Sequence, residues 1–452
     1  MKNLRMCIFS IVGGSALLKR NVEEKLNTWK NTKNRKCLLV RGARQVGKTF
    51  SIELFGKTEY ESSITINFLK NPGYKRIFAE NLDSKTLLMN ISLYVPQVQL
   101  VPGKTLLFLD EIQECPEAIT SLKFWNEENR YDVIASGSML GVDYKRATSF
   151  PVGAIDYIDM TSLSFAEFLW AAGITDEIIA VLRNSFQKRE AIPLAIHERL
   201  MQLLRLYAVL GGMPEVLTLF FQDENMVVAD AKQKAILNDY RYDIAHYANA
   251  DIKAKAEACY FSLPDQLSKE NHKFQYSVVE PKGTSRKFKT SLDWLEAAFL
   301  TQRIHNLNGY DMPLRSSVNF QSFRVYPTDI GLLFGMYPPA VKEEMLHPKQ
   351  GRKEHFKKGG LYEALVADML IKNGHRELFF RKDEASTFEI EFIIETTDGP
   401  VPIEVKSKNS KSKSLDNLLK RDEIPYGYKM IDGNVGRMDK KITMPLYMAM
   451  FL

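Results

Sequence analysis

Two glycines, a lysine and a threonine in Gly42-Ala43-Arg44-Gln45-Val46-Gly47-Lys48-Thr49 keep the spacing Gly-x-x-x-x-Gly-Lys-[Ser/Thr], which suits a chain of phosphates. Gly42 and Gly47 permit backbone angles at which the N–H groups of the loop, those of Ala43, Arg44, Gln45 and Val46 included, converge on phosphate oxygens. Lys48 adds a full charge for the β- and γ-phosphates, and the Thr49 hydroxyl is expected on Mg²⁺. Asp110 and Glu111 supply the acids. Asp110 would hold the Mg²⁺ directly or through water, and Glu111 would polarise the attacking water as catalytic base. In Ser136-Gly137-Ser138 either serine could report nucleotide state, and Ser138 is assigned to the nucleotide. Farther on, Glu363, Glu391 and Glu404 stand with Lys406 as a second candidate catalytic set. Carboxylates of this kind hold a hard divalent ion through oxygen, while a lysine orients water or stabilises charge developing on a phosphorane.

These residues need particular elements beneath them. An apolar run at 37–40 reads as a buried strand feeding the phosphate loop, and 49–55 alternates as a helix can, with its positive dipole end on the loop. The run 104–111 is a buried strand ending on two acids, so Asp110 falls at its C-terminal edge beside the loop. Strands are also expected at 63–68 and 131–135. Near the C-terminus, 361–370 reads as a helix carrying Glu363, 388–395 alternates as a strand carrying Glu391, and 401–406 follows as a second strand. Glu404 and Lys406 are two apart, so they project from one face, where Glu391 can meet them. That is the shape of a PD-(D/E)xK metal site, with Glu standing at 391 where Asp is usual.

At 452 residues the chain should hold roughly three domains. With 45% hydrophobic and 26% charged residues it has a soluble globular composition, and a net charge of +6 is too small to mark the whole molecule as a nucleic-acid binder. Basic stretches are local: Lys282, Arg286, Lys287 and Lys289, then Lys408, Lys411, Lys413, Lys420 and Arg421. Four cysteines, at 7, 37, 115 and 259, show no Cys-x-x-Cys spacing, which excludes a zinc knuckle and implies a reduced compartment. The apolar run 6–18 has the look of a signal peptide. Lys19-Arg20 followed by Val22, Leu26 and Trp29 at helical spacing instead looks like the start of the folded protein, so the run is taken as an N-terminal extension of a cytoplasmic protein or as a mis-set start. No apolar run reaches the roughly 18 residues of a spanning helix.

The run 39–49, with Leu109-Asp110-Glu111-Ile112-Gln113, Ala135-Ser136-Gly137-Ser138, Leu163-Ser164-Phe165-Ala166-Glu167-Phe168-Leu169 and Gly211-Gly212-Met213-Pro214-Glu215, resembles the prokaryotic AAA-type ATPases that carry a C-terminal restriction-endonuclease-like domain. The resemblance covers nearly the whole chain from about Leu18. It implies an ATP-binding core, a helical and winged-helix region and a nuclease-like domain. Ala154 departs from it: relatives often place arginine or lysine just after the glycine equivalent to Gly153. A basic group for the γ-phosphate would then come from Arg146 or from a neighbouring subunit.

The expected chain is therefore α/β: an ATPase core with a parallel sheet over 18–160, a helical region over 161–250, a winged-helix-like region over 251–320, and a nuclease-like domain over 321–452. Helical spacing at 166–171 and 197–204 supports the second of these, and helices near 263 and 290–300 before a strand at 302–305 support the third. A helix approached by basic residues could enter a DNA groove or simply pack against protein. The expected ligands are ATP and Mg²⁺, with DNA and a second copy of the chain as candidate partners and no membrane. The alternative is a nucleotide-dependent regulatory switch whose nuclease-like domain is catalytically inactive.

Overall fold

The computed structural model describes residues 11–12, 15–16, 18–95, 99–138, 153–269, 272–348, 359–384, 387–406 and 410–452, with backbone only for the first four of these positions. Arg146, Lys408, Cys7 and most of the apolar run 6–18 lie outside them. The chain divides into two compact units, one formed by 20–162 with 297–300 and the other by 163–296 with 301–452 and the N-terminal stretch.

The first unit is a five-stranded parallel sheet with the order β2-β3-β4-β1-β5, built from β1 (Cys37–Arg41), β2 (Ser62–Asn67), β3 (Thr105–Asp110), β4 (Asp132–Gly137) and β5 (Ile155–Asp159). Every residue of β3 is buried, because a parallel sheet is covered on both faces and so draws a continuous apolar run rather than an alternating one. One face packs Leu39, Ile66, Leu107, Leu109 and Ala135 against Leu87 and Ile91 of α3 (Ser84–Tyr94) and Ile119, Leu122 and Trp125 of α4 (Pro116–Glu128). Two further helices, α1 (Val22–Asn31) and α2 (Lys48–Glu59), precede β1 and β2. The sheet order brings the tips of β1, β3 and β4 together at the carboxyl edge, where α/β sheets bind ligands.

The second unit joins helices to an eight-stranded mixed sheet. Helices α5 (Phe165–Ala171), α6 (Asp176–Lys188), α7 (Leu194–Leu210), α8 (Pro214–Asp223), α9 (Met226–Tyr247), α10 (Ala250–Phe261), α11 (Leu263–Leu267), α12 (Tyr276–Val279) and α13 (Ser285–Ala297) lead into strands β6 (Thr301–Leu307) and β7 (Val318–Pro327). After α14 (Ile330–Met336) and α15 (Pro339–Leu346) comes α16 (Gly359–Lys372). There follow β8 (Phe379–Lys382), β9 (Glu389–Thr396), β10 (Gly399–Val405), α17 (Lys413–Leu418), β11 (Gly427–Ile431), β12 (Gly436–Met438) and β13 (Lys441–Pro445). The strand order is β12-β13-β11-β10-β9-β8-β6-β7. The strand expected at 302–305 pairs within this sheet: β6 runs parallel to β8 with Phe379 opposite His305, and residue 321 lies inside β7.

Two glycine motifs lock within this unit. A Cβ on Gly212 would lie 2.0 Å from the Leu163 carbonyl oxygen, and one on Gly211 would lie 2.6 Å from the backbone of Gly331. Asp329 caps α14 through Leu332 N–H and also accepts from Gly212 N–H at 2.8 Å. The buried Lys372 ammonium joins Asp329 and Asp368, at 3.2 and 2.8 Å.

Candidate nucleotide site and C-terminal carboxylate cluster

The phosphate loop leaves β1 in a conformation that only glycine tolerates at its ends. Gly42 has φ 153° and Gly47 φ 96°, and a Cβ on Gly42 would stand 2.0 Å from the Met160 carbonyl oxygen. Lys48 is buried, with its ammonium donating to the carbonyls of Gly42 at 3.0 Å and Ala43 at 2.8 Å, so it is held over the loop that it would share with phosphate. Arg20 supports the loop from the other side. Its guanidinium donates to the Val46 carbonyl at 2.9 Å and to the Thr161 carbonyl at 2.7 Å. No motif announces this role, because Arg20 precedes the loop across a whole helix.

Asp110 is the convergence point of the site and is almost wholly buried. The Thr49 hydroxyl lies 3.1 and 2.9 Å from its two oxygens, and the Asn67 side-chain amide donates at 2.6 Å. The Ser136 hydroxyl donates to Asp110 as well. Asn67 was not legible as a site residue, since it is simply the last residue of β2; its side-chain oxygen also accepts from Lys70 N–H at 2.6 Å. Ser136, rather than the expected Ser138, reaches Asp110. It sits within β4 level with Val40, whereas Ser138 lies just past the strand end. Glu111 adopts φ 55°, an uncommon left-handed conformation for a non-glycine residue, of the kind that costs ~1–3 kcal/mol and gathers at functional sites. Its carboxylate accepts from the Gln113 side chain at 2.6 Å.

The chemistry of this donor set fits ATP and Mg²⁺. A loop whose glycines hold backbone angles closed to other residues suits phosphate, and a hydroxyl beside a buried carboxylate is an all-oxygen set for a hard cation.

The C-terminal acids do meet, but as two ion-paired groups. The register of Phe392 opposite Ile403 puts Glu391 across from Glu404 on adjacent strands, and Lys406 reaches both, at 3.2 and 3.5 Å. Glu391 also accepts from Val405 N–H at 3.1 Å, while one oxygen of Glu404 is buried with no hydrogen-bond partner among the described residues. Glu363, on α16, has different company. It accepts from Arg324 at 3.1 Å, stands 2.8 Å from the His272 ring nitrogen and 3.4 Å from the Tyr326 hydroxyl. Arg324 is fully buried and also pairs with Glu389. Among the described residues no group of three or more acidic, histidine or cysteine side chains is arranged to hold a metal ion.

Burial would raise Glu363, but the Arg324 guanidinium and the His272 ring hold it below the usual carboxylate value. Burial wins at Glu391, where it outweighs Lys406 and, helped by Glu363 and Glu404, pushes the carboxyl up to about 8. The folded state thus binds this proton more tightly than the unfolded chain, whose value is 4.5. The resulting stability is fully present below that value and is lost as pH rises through about 8. Wild-type protein should accordingly lose stability relative to Glu391→Gln between about pH 5 and 8, measured as thermal midpoints across that range. Parallel profiles for the two proteins would show that Glu391 does not titrate there.

Residues 34–169 match the AAA domain family, residues 201–350 a domain of unknown function (DUF8612), and residues 358–447 a domain of unknown function (DUF4143). The N-terminal segment is thus an AAA-type P-loop ATPase domain, followed by two domains of unknown function. Among solved structures, the Walker-type ATPase PABY2304 of Pyrococcus abyssi is 13% identical, covering 71% of this chain and 96% of that one, with a TM-score of 0.41. The Aeropyrum pernix Orc1 protein in complex with DNA is 12% identical, covering 74% and 93%, with a TM-score of 0.28. The search of curated proteins gave no match.

Proposed function

We propose that this chain binds ATP with Mg²⁺ at the 42–49 loop and hydrolyses it. The observation that carries the reading is the convergence of Thr49, Asn67 and Ser136 on the buried Asp110 carboxylate beside the loop. Bound Mg²⁺ would neutralise charge on the transferring phosphoryl group. Thr49 and Asp110 would hold it, with Asn67 and Ser136 fixing the Asp110 rotamer. Lys48 would turn from the Gly42 and Ala43 carbonyls to phosphate oxygen, and Glu111 would accept the proton of the attacking water. Lys48→Ala removes the charge at the centre of the cradle, so ATP affinity should fall by about tenfold or more with the fold intact. Equilibrium binding of a fluorescent ATP analogue checks this, and unchanged affinity would sink the assignment.

The finer reading gives the ATPase a DNA-directed, nuclease-like C-terminal domain. It is supported by the order of α16, the antiparallel meander β8-β9-β10, α17 and a β11 parallel to β10, with Glu391, Glu404 and Lys406 on one face. Mg²⁺-dependent DNA cleavage that vanishes in Glu404→Ala would support it. A second reading is favoured by the ion pairing of those same acids: a nucleotide-dependent switch whose C-terminal domain is not catalytic. Tight ATP binding without turnover separates that switch from an ATPase. Three buried cysteines at 37, 115 and 259, and the need for ATP, support a cytoplasmic setting. No helix among the described residues is long and apolar enough to cross a membrane. With Ala154 after Gly153, we assign the basic group aimed at the γ-phosphate to a neighbouring copy of the chain or to Arg146.

A further inference from the structure

Helices α12 and α13 are joined by a tight turn at 280–284, closed by a hydrogen bond from Gly283 N–H to the Glu280 carbonyl at 2.8 Å. Only glycine fits there, since a Cβ on Gly283 would stand 2.2 Å from the Tyr276 carbonyl oxygen, and Lys282 just before it has φ 61°. The arrangement is a one-turn helix, a tight turn and a thirteen-residue helix, followed by the antiparallel pair β6 and β7. The inner face of α13 is fixed by packing. Phe288 stacks on Tyr276 at 6.2 Å between ring centres, Tyr276 meets Phe323 of β7 edge-on, and Ser291, Leu292, Trp294 and Leu295 are buried.

The outer face carries the charge. Lys282, Arg286 and Lys289 are exposed, and no hydrogen bond or ion pair engages them among the described residues. The acids nearby are already engaged: Glu280 by Lys287 at 2.5 Å, and Asp293 and Glu296 by Arg303. Three uncompensated cations therefore stand on one rigid helix and its turn.

We propose that this face docks on the phosphate backbone of duplex DNA, with α13 directed at the major groove. The proposal gives the DNA-directed half of the reading above its contact surface, and it rests on that half alone. Charge complementarity selects a polyanion. The B-form major groove is wide enough for a helix, whereas that of duplex RNA is too narrow and deep. A single strand would call for exposed aromatic platforms, and the aromatics of α13, Phe288 and Trp294, are both buried.

The test is fluorescence anisotropy of the full chain on labelled duplex DNA, single-stranded DNA and duplex RNA over a salt series. Wild-type protein should prefer duplex DNA. The variant Lys282→Ala/Arg286→Ala/Lys289→Ala should bind it about tenfold or more weakly, and the slope of log K against log salt should flatten by about 2 to 3, near 0.9 per lost phosphate contact. Lys411→Ala/Lys413→Ala, on the other basic stretch, should bind as wild type. Unaltered affinity and slope in the triple variant, loss confined to the Lys411/Lys413 variant, preference for RNA or single strands, or no wild-type binding to duplex DNA would each overturn the proposal. ATP turnover without DNA, measured on the same preparations, reports folding of the triple variant. It also judges the ATPase reading separately, because absent turnover with intact duplex binding counts against the ATPase and leaves the surface standing.

Discussion

Glu111→Gln should leave ATP binding close to wild type while turnover drops by roughly two orders of magnitude or more. Glutamine keeps the shape of the side chain and its acceptor oxygen, so the contact with Gln113 at 2.6 Å can persist and the left-handed backbone at 111 is undisturbed. What is lost is the group that takes the proton from water. Asp110 keeps its three donors, Thr49, Asn67 and Ser136, and among the described residues none of these hydrogen-bonds to Glu111, so the cation-holding side of the site should be unaffected by the change. Steady-state phosphate release paired with equilibrium nucleotide binding is the decisive measurement. If affinity collapses together with turnover, Glu111 is holding the cation or the local fold, and the base must be sought elsewhere.

Arg324→Met should destabilise the C-terminal sheet by about 3–5 kcal/mol, the usual penalty for leaving a buried charge without its partner. Arg324 has no exposed side-chain surface, donates to Glu363 at 3.1 Å, pairs with Glu389 and lies 4.4 Å from the centre of the Phe380 ring. Methionine fills similar volume, so the effect is largely electrostatic. Glu363 would keep only the His272 ring and the Tyr326 hydroxyl, while Glu389 would still have Lys382 at 2.9 Å. Adding Glu363→Gln to Arg324→Met should recover a large part of the loss, because the orphaned charge is then removed. Urea unfolding followed by circular dichroism reads both effects. A double variant no more stable than Arg324→Met would mean that packing on Phe380, not the ion pair, is what Arg324 contributes.

The nucleotide half of the molecule was largely legible along the chain because its chemistry is local. A loop that wraps phosphate needs glycine at fixed spacing, a strand buried on both faces needs an unbroken apolar run, and 37–49 and 104–111 meet those demands within a dozen residues. The alternation at 388–395 and 401–406 likewise foretold that Glu391, Glu404 and Lys406 would share a face. Tertiary structure decided the rest, and in each case the missing information was a partner far away in the chain. Asn67 reaches Asp110 across 43 residues, and Ser136 reaches it across 26. Glu363 meets Arg324, 39 residues before it, and the His272 ring, 91 before it. The strand expected at 302–305 pairs within the C-terminal sheet because β6 hydrogen-bonds to β8, more than seventy residues on. Local spacing constrains backbone geometry over a few residues; which carboxylate meets which cation depends on strand order and register, and those are set by the burial of the whole sheet.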